Sequence, residues 1–241
     1  MLRAAAHAVA QALGELGDWG LAGTRPWQYR SDLAADAAAL AVLEGAGLGV
    51  LSEESGRHHP GRTVTVVVDP LDGSTNAARG IPWFATSLCA VDRVGPLAAV
   101  VVNLVSGSRF EAVRDGGATC DGAPLVPGDC QTMKDAMVAL SGFPPQALGW
   151  MQYRSLGAAA LDLCAVAAGV VDAFIDCSPS ALGPWDYLGG LLVCQEAGAP
   201  VVDAGGRELV VLGHDSRRTP VAACNQVLLD EVALARASFL W

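Results

Sequence analysis

The sequence predicts a mixed α/β protein of the α+β type, in which helices pack against β-sheets. Two helix-like segments come first, and a β-branched run with several turn-separated apolar segments then indicates an antiparallel meander. Strand-like and helix-like segments alternate through the C-terminal half, which is typical of α/β layering. The chain has 241 residues, of which 52% are hydrophobic and 17% charged, so it can bury a large core. We expect a single domain over 1–241 with sub-lobes at approximately 1–130 and 131–241.

The N-terminal sub-lobe is predicted to begin with two helices. Apolar residues recur at helical spacing over about residues 2–16, and a second helix follows the Ser-Asp cap at 31–32 and runs to Gly45. Residues 63–68 (TVTVVV) are almost all β-branched and predict a strand that ends at the Asp-Pro pair that follows. Further strands joined by Gly/Pro turns are predicted over 84–92, 97–105 and 109–114.

The C-terminal sub-lobe is predicted to alternate between strands and helices. The helices are expected over 157–168, 186–197 and 226–239. The strands are expected over 137–141, 170–176, 200–202, 209–212 and 219–223.

The charge balance and the cysteines exclude several classes of partner. Acidic residues outnumber basic residues 25 to 15, and the net charge of −10 argues against nucleic acid or an anionic membrane surface. No apolar run reaches the roughly 18 to 20 residues of a membrane helix. His7 and Gln11 interrupt the N-terminal alanine-rich stretch, which favours an amphipathic helix over a cleaved signal. Seven scattered cysteines without a CxxC pair favour thiols in a reducing cytoplasm.

The most informative segment is DPLDGSTN at residues 69–76, which directly follows the β-branched strand. Its two carboxylates, three residues apart with a proline between them, can converge beside the free carbonyl of Leu71. Mg²⁺ prefers such all-oxygen sites, completed by water and phosphate. Gly73 allows close backbone approach, and the next residues can open a helix whose free N–H groups face an anion. Metal-assisted phosphoryl transfer requires such adjoining cation and anion sites.

Each acidic motif also has a simpler interpretation. A bare DxxDG pattern is more often a turn, whereas all eight residues behind a β-branched strand favour the metal and phosphate site. Taken alone, Glu53-Glu54 is typical of a solvated loop, and Asp186 after Trp185 is typical of a helix N-cap. The occurrence of all three motifs in one chain, in the order found in a known superfamily, favours a common site by resemblance.

These motifs make the sequence resemble the inositol monophosphatase superfamily of Mg²⁺-dependent, lithium-sensitive sugar-phosphate phosphatases. The resemblance spans about residue 30 to the C-terminus and has three parts: DPLDGSTN, the paired glutamates before it, and Trp185-Asp186 followed by an apolar helix and Glu-Ala-Gly. It implies the layered αβαβα sandwich of the inositol monophosphatase and fructose-1,6-bisphosphatase fold.

By this resemblance, five groups should bind two or three Mg²⁺ ions, with Mn²⁺ as an alternative ion. They are Glu53, Asp69, Asp72, Asp186 and the carbonyl of Leu71. The physics agrees, because four carboxylates in one pocket repel one another and raise each other's pKa unless cations compensate.

The resemblance also implies the catalytic and phosphate-binding residues. The N–H groups of Gly73 and Ser74 should hold phosphate oxygens. The Ser74 hydroxyl, paired with an upstream aspartate that matches Asp36, should orient the attacking water, with Glu53 completing the catalytic set. A solvent-facing helix residue remains the alternative for Asp36.

The substrate side departs most from the pattern of the superfamily. Gly157, Ala158 and Asp176 are the candidate substrate-binding residues, each with a structural alternative: a helix start for the first two and a strand end for Asp176. The connection over 144–154 is shorter than in relatives, so an inositol phosphate cannot be assumed. His58, His59 and His214 occupy polar turn-like stretches and are interpreted as surface residues.

The sequence therefore predicts a cytoplasmic Mg²⁺-dependent phosphomonoesterase that acts on a small polyol or sugar phosphate. Related alternatives are a 3′-phosphoadenosine bisphosphate phosphatase and a fructose-bisphosphatase, which need further basic residues for a second phosphate. An alternative of another class is a non-catalytic homologue that binds metal or ligand. A homodimer and lithium inhibition are implied by the resemblance, whereas nucleic acid and membrane partners are not expected.

Overall fold

The structure is a computed structural model that describes residues 1–239. The helices are α1 (Leu2–Gly14), α2 (Arg30–Gly45), α3 (Ser74–Arg79), α4 (Ala159–Ala167), α5 (Pro184–Ala197) and α6 (Gln226–Ala237). A short 3₁₀ helix lies at Met133–Asp135. No helix within the described range is long and apolar enough to cross a bilayer.

The larger sheet contains eight strands in the order β2-β1-β3-β4-β5-β6-β7-β8. They are β1 (Gly49–Ser52), β2 (Gly56–His58), β3 (Thr65–Asp72), β4 (Ala85–Val91), β5 (Pro96–Asn103), β6 (Arg109–Val113), β7 (Gly117–Cys120) and β8 (Ala123–Pro124). Strands β3 to β8 form the predicted antiparallel meander, and β1 pairs with β3 in parallel.

The smaller sheet contains five strands in the order β10-β9-β11-β13-β12. They are β9 (Met137–Ser141), β10 (Gln152–Arg154), β11 (Ala173–Asp176), β12 (Val201–Asp203) and β13 (Pro220–Ala223). Both β10 and β11 run parallel to β9, so the carboxyl ends of these three strands lie at the same edge of the sheet.

The elements stack in five layers. Helices α1 and α2 pack their apolar faces on one side of the large sheet, and α5 packs on its other side through residues such as Leu188 and Leu191. The small sheet covers α4 and α5, and α6 covers the far face of the small sheet through Leu228 and Val232. The order is therefore helix, sheet, helix, sheet, helix, as expected.

The structure corrects four details of the predicted elements. Helix α2 begins at Arg30, because the Asp32 carboxylate accepts a hydrogen bond from the Tyr29 N–H at 2.7 Å and so acts at the third helical position. Strand β3 continues past the Asp-Pro pair to Asp72, with an irregular register after Asp69. Residues 209–212 are not a strand: they pair with no neighbouring strand within residues 1–239, and the Leu209 carbonyl accepts the Tyr187 hydroxyl at 2.7 Å.

The fourth correction concerns the short strands, since β7, β8 and β10 were not predicted. The two sheets divide the chain between Pro124 and Met137. The assignment of two sub-lobes that meet near residue 130 stays a prediction.

Candidate active site

Three carboxylates from distant parts of the chain converge at the centre of the molecule. Glu53 follows β1, Asp69 lies in β3, and Asp186 lies in the first turn of α5. One ligand oxygen from each lies within 4.8 Å of the other two. Such a group of hard oxygen donors fits a divalent cation such as Mg²⁺.

The irregular end of β3 directs its two aspartates to different partners. The N–H of Leu71 donates to Asp69 Oδ1 at 3.0 Å, which holds that carboxylate in place. The N–H of Ala160, at the start of α4, donates to Asp72 Oδ2 at 2.8 Å. Asp72 is therefore held by the N-terminus of α4 and lies outside the closest group of three.

The electrostatics of the cluster are those of a site that needs a cation. Burial, followed by repulsion from Asp186, raises the pKa of Glu53 to about 8. Burial, followed by repulsion from Asp72, raises the pKa of Asp186 to about 8. The pKa of Asp69 and that of Asp72 are also raised well above their usual values, mainly by burial. A bound divalent cation would compensate the cost of ionising these groups together.

Asp186 combines the two roles that the sequence left as alternatives. It lies at the third position of α5, where the Gly183 N–H donates to its Oδ2 at 2.6 Å. Pro184 fixes the start of the helix, and the neighbouring Trp185 is 4% exposed. The capping interaction thus orients a carboxylate that also belongs to the acidic group.

The segment after Asp72 forms a tight loop that only glycine fits. Gly73 has a φ of +83°, and a Cβ there would lie 3.1 Å from the carbonyl oxygens of Trp83 and Gly157. Helix α3 starts at Ser74, and the Asn76 amide donates to the Trp83 carbonyl at 2.8 Å and to the Leu156 carbonyl at 2.7 Å. This side chain ties the loop to the start of α4.

The structure places Asp32, rather than Asp36, beside Ser74. The Ser52 hydroxyl donates to Asp36 Oδ1 at 2.5 Å, so Asp36 is engaged with the end of β1. Burial raises the pKa of Asp32 to about 6, and a hydrogen bond from the Ser74 side chain opposes that rise. Residues four apart lie on the same face of a helix, and the earlier turn of α2 is the one that faces α3.

The three candidate substrate residues have different surroundings. Gly157 is exposed, has a φ of +88°, and a Cβ on it would lie 3.1 Å from the Asn76 amide. Ala158 is buried at 1% exposure. Asp176 is 0% exposed, its Oδ1 accepts from the Ser178 N–H at 3.0 Å, and burial raises its pKa to about 7. Asp176 is the last residue of β11, as predicted, and its complete burial argues against direct contact with a substrate.

Two residues near the acidic group were missed at the sequence level. His214 is half-buried, not a surface residue: its Nε2 lies 3.2 Å from the Glu53 carbonyl, and its ring centroid lies 4.8 Å from that of Trp185. The Arg217 guanidinium lies 5.1 Å from the Trp185 ring centroid, and its charge lowers the pKa of Asp186 against the larger effect of burial. The sequence spacing of His214 and Arg217 from the Trp-Asp motif does not predict this contact, because only the fold brings the two residues next to Trp185.

Comparisons with known proteins agree with this geometry. The profile of the Inositol monophosphatase family matches residues 32–239. The chain is 34% identical over 182 residues to Nus factor SuhB from Salmonella typhimurium, covering 68% of this chain and 67% of that relative. It is 34% identical over 191 residues to a fructose-1,6-bisphosphatase/inositol-1-monophosphatase from Thermococcus kodakarensis, covering 77% of this chain and 73% of the relative.

Solved structures match the whole fold. A hypothetical protein from Pyrococcus horikoshii, described as similar to inositol-1 monophosphatase, superposes with a TM-score of 0.84 at 26% identity, covering 97% of this chain and 94% of its own. The extragenic suppressor protein suhB from Bartonella henselae superposes with a TM-score of 0.83 at 28% identity, covering 100% and 98%. The predicted resemblance and the αβαβα fold are thereby confirmed. The chain belongs to the inositol monophosphatase family.

Proposed function

We propose that the protein is a Mg²⁺-dependent phosphomonoesterase that hydrolyses a small polyol or sugar phosphate. The observation that carries this proposal is the convergence of Glu53, Asp69 and Asp186 within 4.8 Å, next to the tight loop at Gly73. Membership of a family whose relatives include an enzyme named inositol-1-monophosphatase supports it.

The acidic group would hold the metal. Glu53, Asp69 and Asp186 supply the closest oxygens, with the Leu71 carbonyl and the Oδ1 atom of Asp72 as further ligands to two or three Mg²⁺ or Mn²⁺ ions. When bound, such ions polarise the phosphate, make water a better nucleophile and offset the charge of the departing alkoxide.

The residues beside the metal ligands would position the phosphate and the water. The first N–H groups of a helix have no partner within the helix, so those of Gly73 and Ser74 can donate to phosphate oxygens. The Ser74 hydroxyl would donate a hydrogen bond to Asp32 and accept one from the attacking water, so that the proton released by the water would pass through Ser74 to the Asp32 carboxylate. Asp32 Oδ2 accepts the Tyr29 N–H, and the buried Oδ1 has no other partner within residues 1–239, so Oδ1 is the oxygen that would accept the Ser74 hydroxyl.

The test is Mg²⁺-dependent phosphate release from myo-inositol 1-phosphate and glycerol 2-phosphate. Asp186→Asn should lower kcat/KM by roughly 10³-fold or more, because it removes a metal ligand. The matched control is Glu111→Gln, which changes a carboxylate bonded to Arg3 and Arg109 and should leave activity unchanged. Absence of phosphate release with Mg²⁺ or Mn²⁺, together with absence of divalent-ion binding by calorimetry, would contradict the proposal.

A bisphosphate substrate is a second candidate, and Arg217 is the observation that favours it. Its guanidinium lies over Trp185, the residue before a metal ligand, where it could bind a second phosphate. Fructose 1,6-bisphosphate and 3′-phosphoadenosine 5′-phosphate test this candidate. Arg217→Gln should raise KM for the bisphosphate about tenfold and leave that for glycerol 2-phosphate within twofold. Equal KM changes for both substrates would exclude Arg217 from a second phosphate site.

Three expectations from the sequence remain predictions. A non-catalytic homologue would bind divalent ions in calorimetry without turning over any ester. The homodimer would give twice the monomer mass in sedimentation velocity. The cytoplasmic location would be checked by fractionation of the source cells.

A further inference from the structure

A second cavity lies beside the candidate active site and has no role in the mechanism above. Its volume is about 500 Å³, and its walls come from the segment after β9 and from β10 and the residue that follows it. Phe143, Pro144, Trp150, Tyr153 and Ser155 are the lining residues that define its chemistry.

The cavity and the phosphate loop are direct neighbours. Ser155 lines the cavity, and two residues later Gly157 packs against Asn76 and the Gly73 loop. Two residues span at most about 7 Å even when fully extended. The intervening Leu156 is fixed to α3, because its carbonyl accepts the Asn76 amide at 2.7 Å. The cavity also lies at the carboxyl edge of β9 and β10, where ligands bind in sheets of this kind.

The lining of the cavity suits an uncharged apolar group. Every lining residue within the described range is uncharged, and Trp150 and Tyr153 meet edge to face with ring centroids 5.9 Å apart. Phe143 is 85% exposed and Tyr153 is 56% exposed, so large apolar surface faces solvent at this point. A polyol or a second phosphate would find few hydrogen-bond partners here, which is costly for buried polar groups.

We propose that this cavity receives an aromatic or branched apolar part of the substrate alcohol. The inference rests on the proposed phosphomonoesterase function and narrows its substrate class: the alcohol carries an apolar ring or branch in addition to the phosphorylated carbon. The phosphate then occupies the loop at Gly73 while the ring contacts Phe143 and Tyr153.

The experiment compares 2-phenylethyl phosphate with ethyl phosphate in the presence of Mg²⁺. Both esters have primary alcohols as leaving groups, so the chemical step is similar and the difference reports binding of the ring. Because one methylene group in an apolar pocket is worth roughly 10- to 200-fold in kcat/KM, the phenyl ester should be preferred by at least about tenfold, mainly through a lower KM. Calorimetry with 2-phenylethylphosphonate and ethylphosphonate measures the same preference without turnover.

Two variants test the walls of the cavity. Phe143→Ala and Tyr153→Ala should each lower the phenyl-to-ethyl ratio by about tenfold, and Phe143→Ala carries little risk to folding because the side chain is exposed. The matched control is Val94→Ala, which removes an apolar side chain that is 70% exposed from the turn between β4 and β5. This control should leave the ratio unchanged.

The outcomes separate the inference from the proposed function. Turnover of ethyl phosphate without preference for the phenyl ester would overturn the inference and leave the function intact. Failure to hydrolyse any ester would instead contradict the function, and the phosphonate calorimetry would still decide whether the cavity binds the ring. The inference is also wrong if calorimetry shows no preference for 2-phenylethylphosphonate and neither variant lowers the phenyl-to-ethyl ratio. If Phe143→Ala in addition converts a dimer to a monomer in sedimentation velocity, a second copy of the chain covers the cavity.

Discussion

Replacing Glu53 with glutamine should stabilise the metal-free protein. The Glu53 carboxylate lies with those of Asp69 and Asp186 within 4.8 Å, and burial with this repulsion raises its pKa to about 8 from an ordinary 4.5. Between these two values the folded protein binds more protons than the unfolded chain. Its stability is therefore greatest below about pH 4.5 and is lost as the pH rises towards 8. Glutamine keeps the shape, removes the charge, and its amide oxygen can still accept a hydrogen bond from Asp69.

The magnitude follows from the pKa difference. Each pKa unit corresponds to about 1.36 kcal/mol, so the span from pH 4.5 to pH 7 amounts to about 3 kcal/mol. A Coulomb estimate for two charges 4.8 Å apart at an effective dielectric constant of about 20 is of the same order, about 3 kcal/mol. Because Glu53 is partly exposed to water, we expect E53Q to gain about 2 to 3 kcal/mol at pH 7 and less than about 1 kcal/mol at pH 5.

The assay is urea denaturation of both proteins in EDTA at pH 5 and pH 7, followed by circular dichroism. A parallel series of urea denaturations with Mg²⁺ measures how much metal binding stabilises each protein, which also depends on the Glu53 charge. The wild type should gain roughly 2.7 kcal/mol at a Mg²⁺ concentration 100 times its Kd, and E53Q should lose most of that gain. The variant is then more stable without metal and less responsive to it.

The neighbouring Glu54 supplies the matched control. Its carboxylate is bonded to Arg25 and to the Gln28 amide, so it is a compensated charge. E54Q should lower stability or leave it unchanged at both pH values. The reasoning is refuted if E53Q is no more stable than the wild type in EDTA at pH 7, or if its gain is as large at pH 5.

Three further predictions concern the surroundings of the acidic group. Asp32→Asn should reduce kcat about 100-fold without removing the Mg²⁺-induced rise in Tm. Asp36→Asn should mainly lower the free energy of unfolding, by about 1 kcal/mol. Steady-state kinetics and thermal melts distinguish the two variants, and the reverse pattern would assign the catalytic role to Asp36. Gly73→Ala should cost about 1 to 3 kcal/mol in urea denaturation and weaken phosphate inhibition, and an unchanged phosphate Ki would remove this loop from the anion site. Asn76→Ala should cost about 1 to 3 kcal/mol and raise KM more than it lowers kcat, because its two bonds hold α3 to the Trp83 carbonyl before β4 and to the Leu156 carbonyl before α4; a pure kcat effect would contradict that role.

The sequence predicted the long, strongly patterned elements. The β-branched run at 63–68 became β3, and the predicted helix over 186–197 became α5 with nearly the same bounds. Strands of two to four residues such as β7, β8 and β10 were missed, because their pairing depends on neighbours and not on their own composition. The loop at 209–212 was misassigned for the same reason, since a strand needs a partner and the Leu209 carbonyl is instead bonded by the Tyr187 hydroxyl.

The residues of the candidate site also include some that the sequence predicted correctly and some that it did not. The resemblance carried by the three motifs predicted Glu53, Asp69 and Asp186 as one group, and their oxygens converge in the structure. The resemblance also predicted Asp36 as the partner of Ser74, and helical periodicity could not distinguish it from Asp32, which lies on the same face of α2. The choice depends on which turn of α2 meets α3, and that is a property of packing.

The sequence by itself determined which groups are available: a set of hard oxygen donors, a glycine at a sharp turn beside them, and enough apolar surface to form a core. Secondary-structure propensity, helix capping and motif spacing depend on residues that are close in sequence, so they can be predicted from the sequence. Only the tertiary structure decided which oxygens converge within 4.8 Å, that Asp176 is buried, and that an apolar cavity adjoins the phosphate loop. These features join residues far apart in the chain, and their positions depend on how α4 and α5 pack between the two sheets.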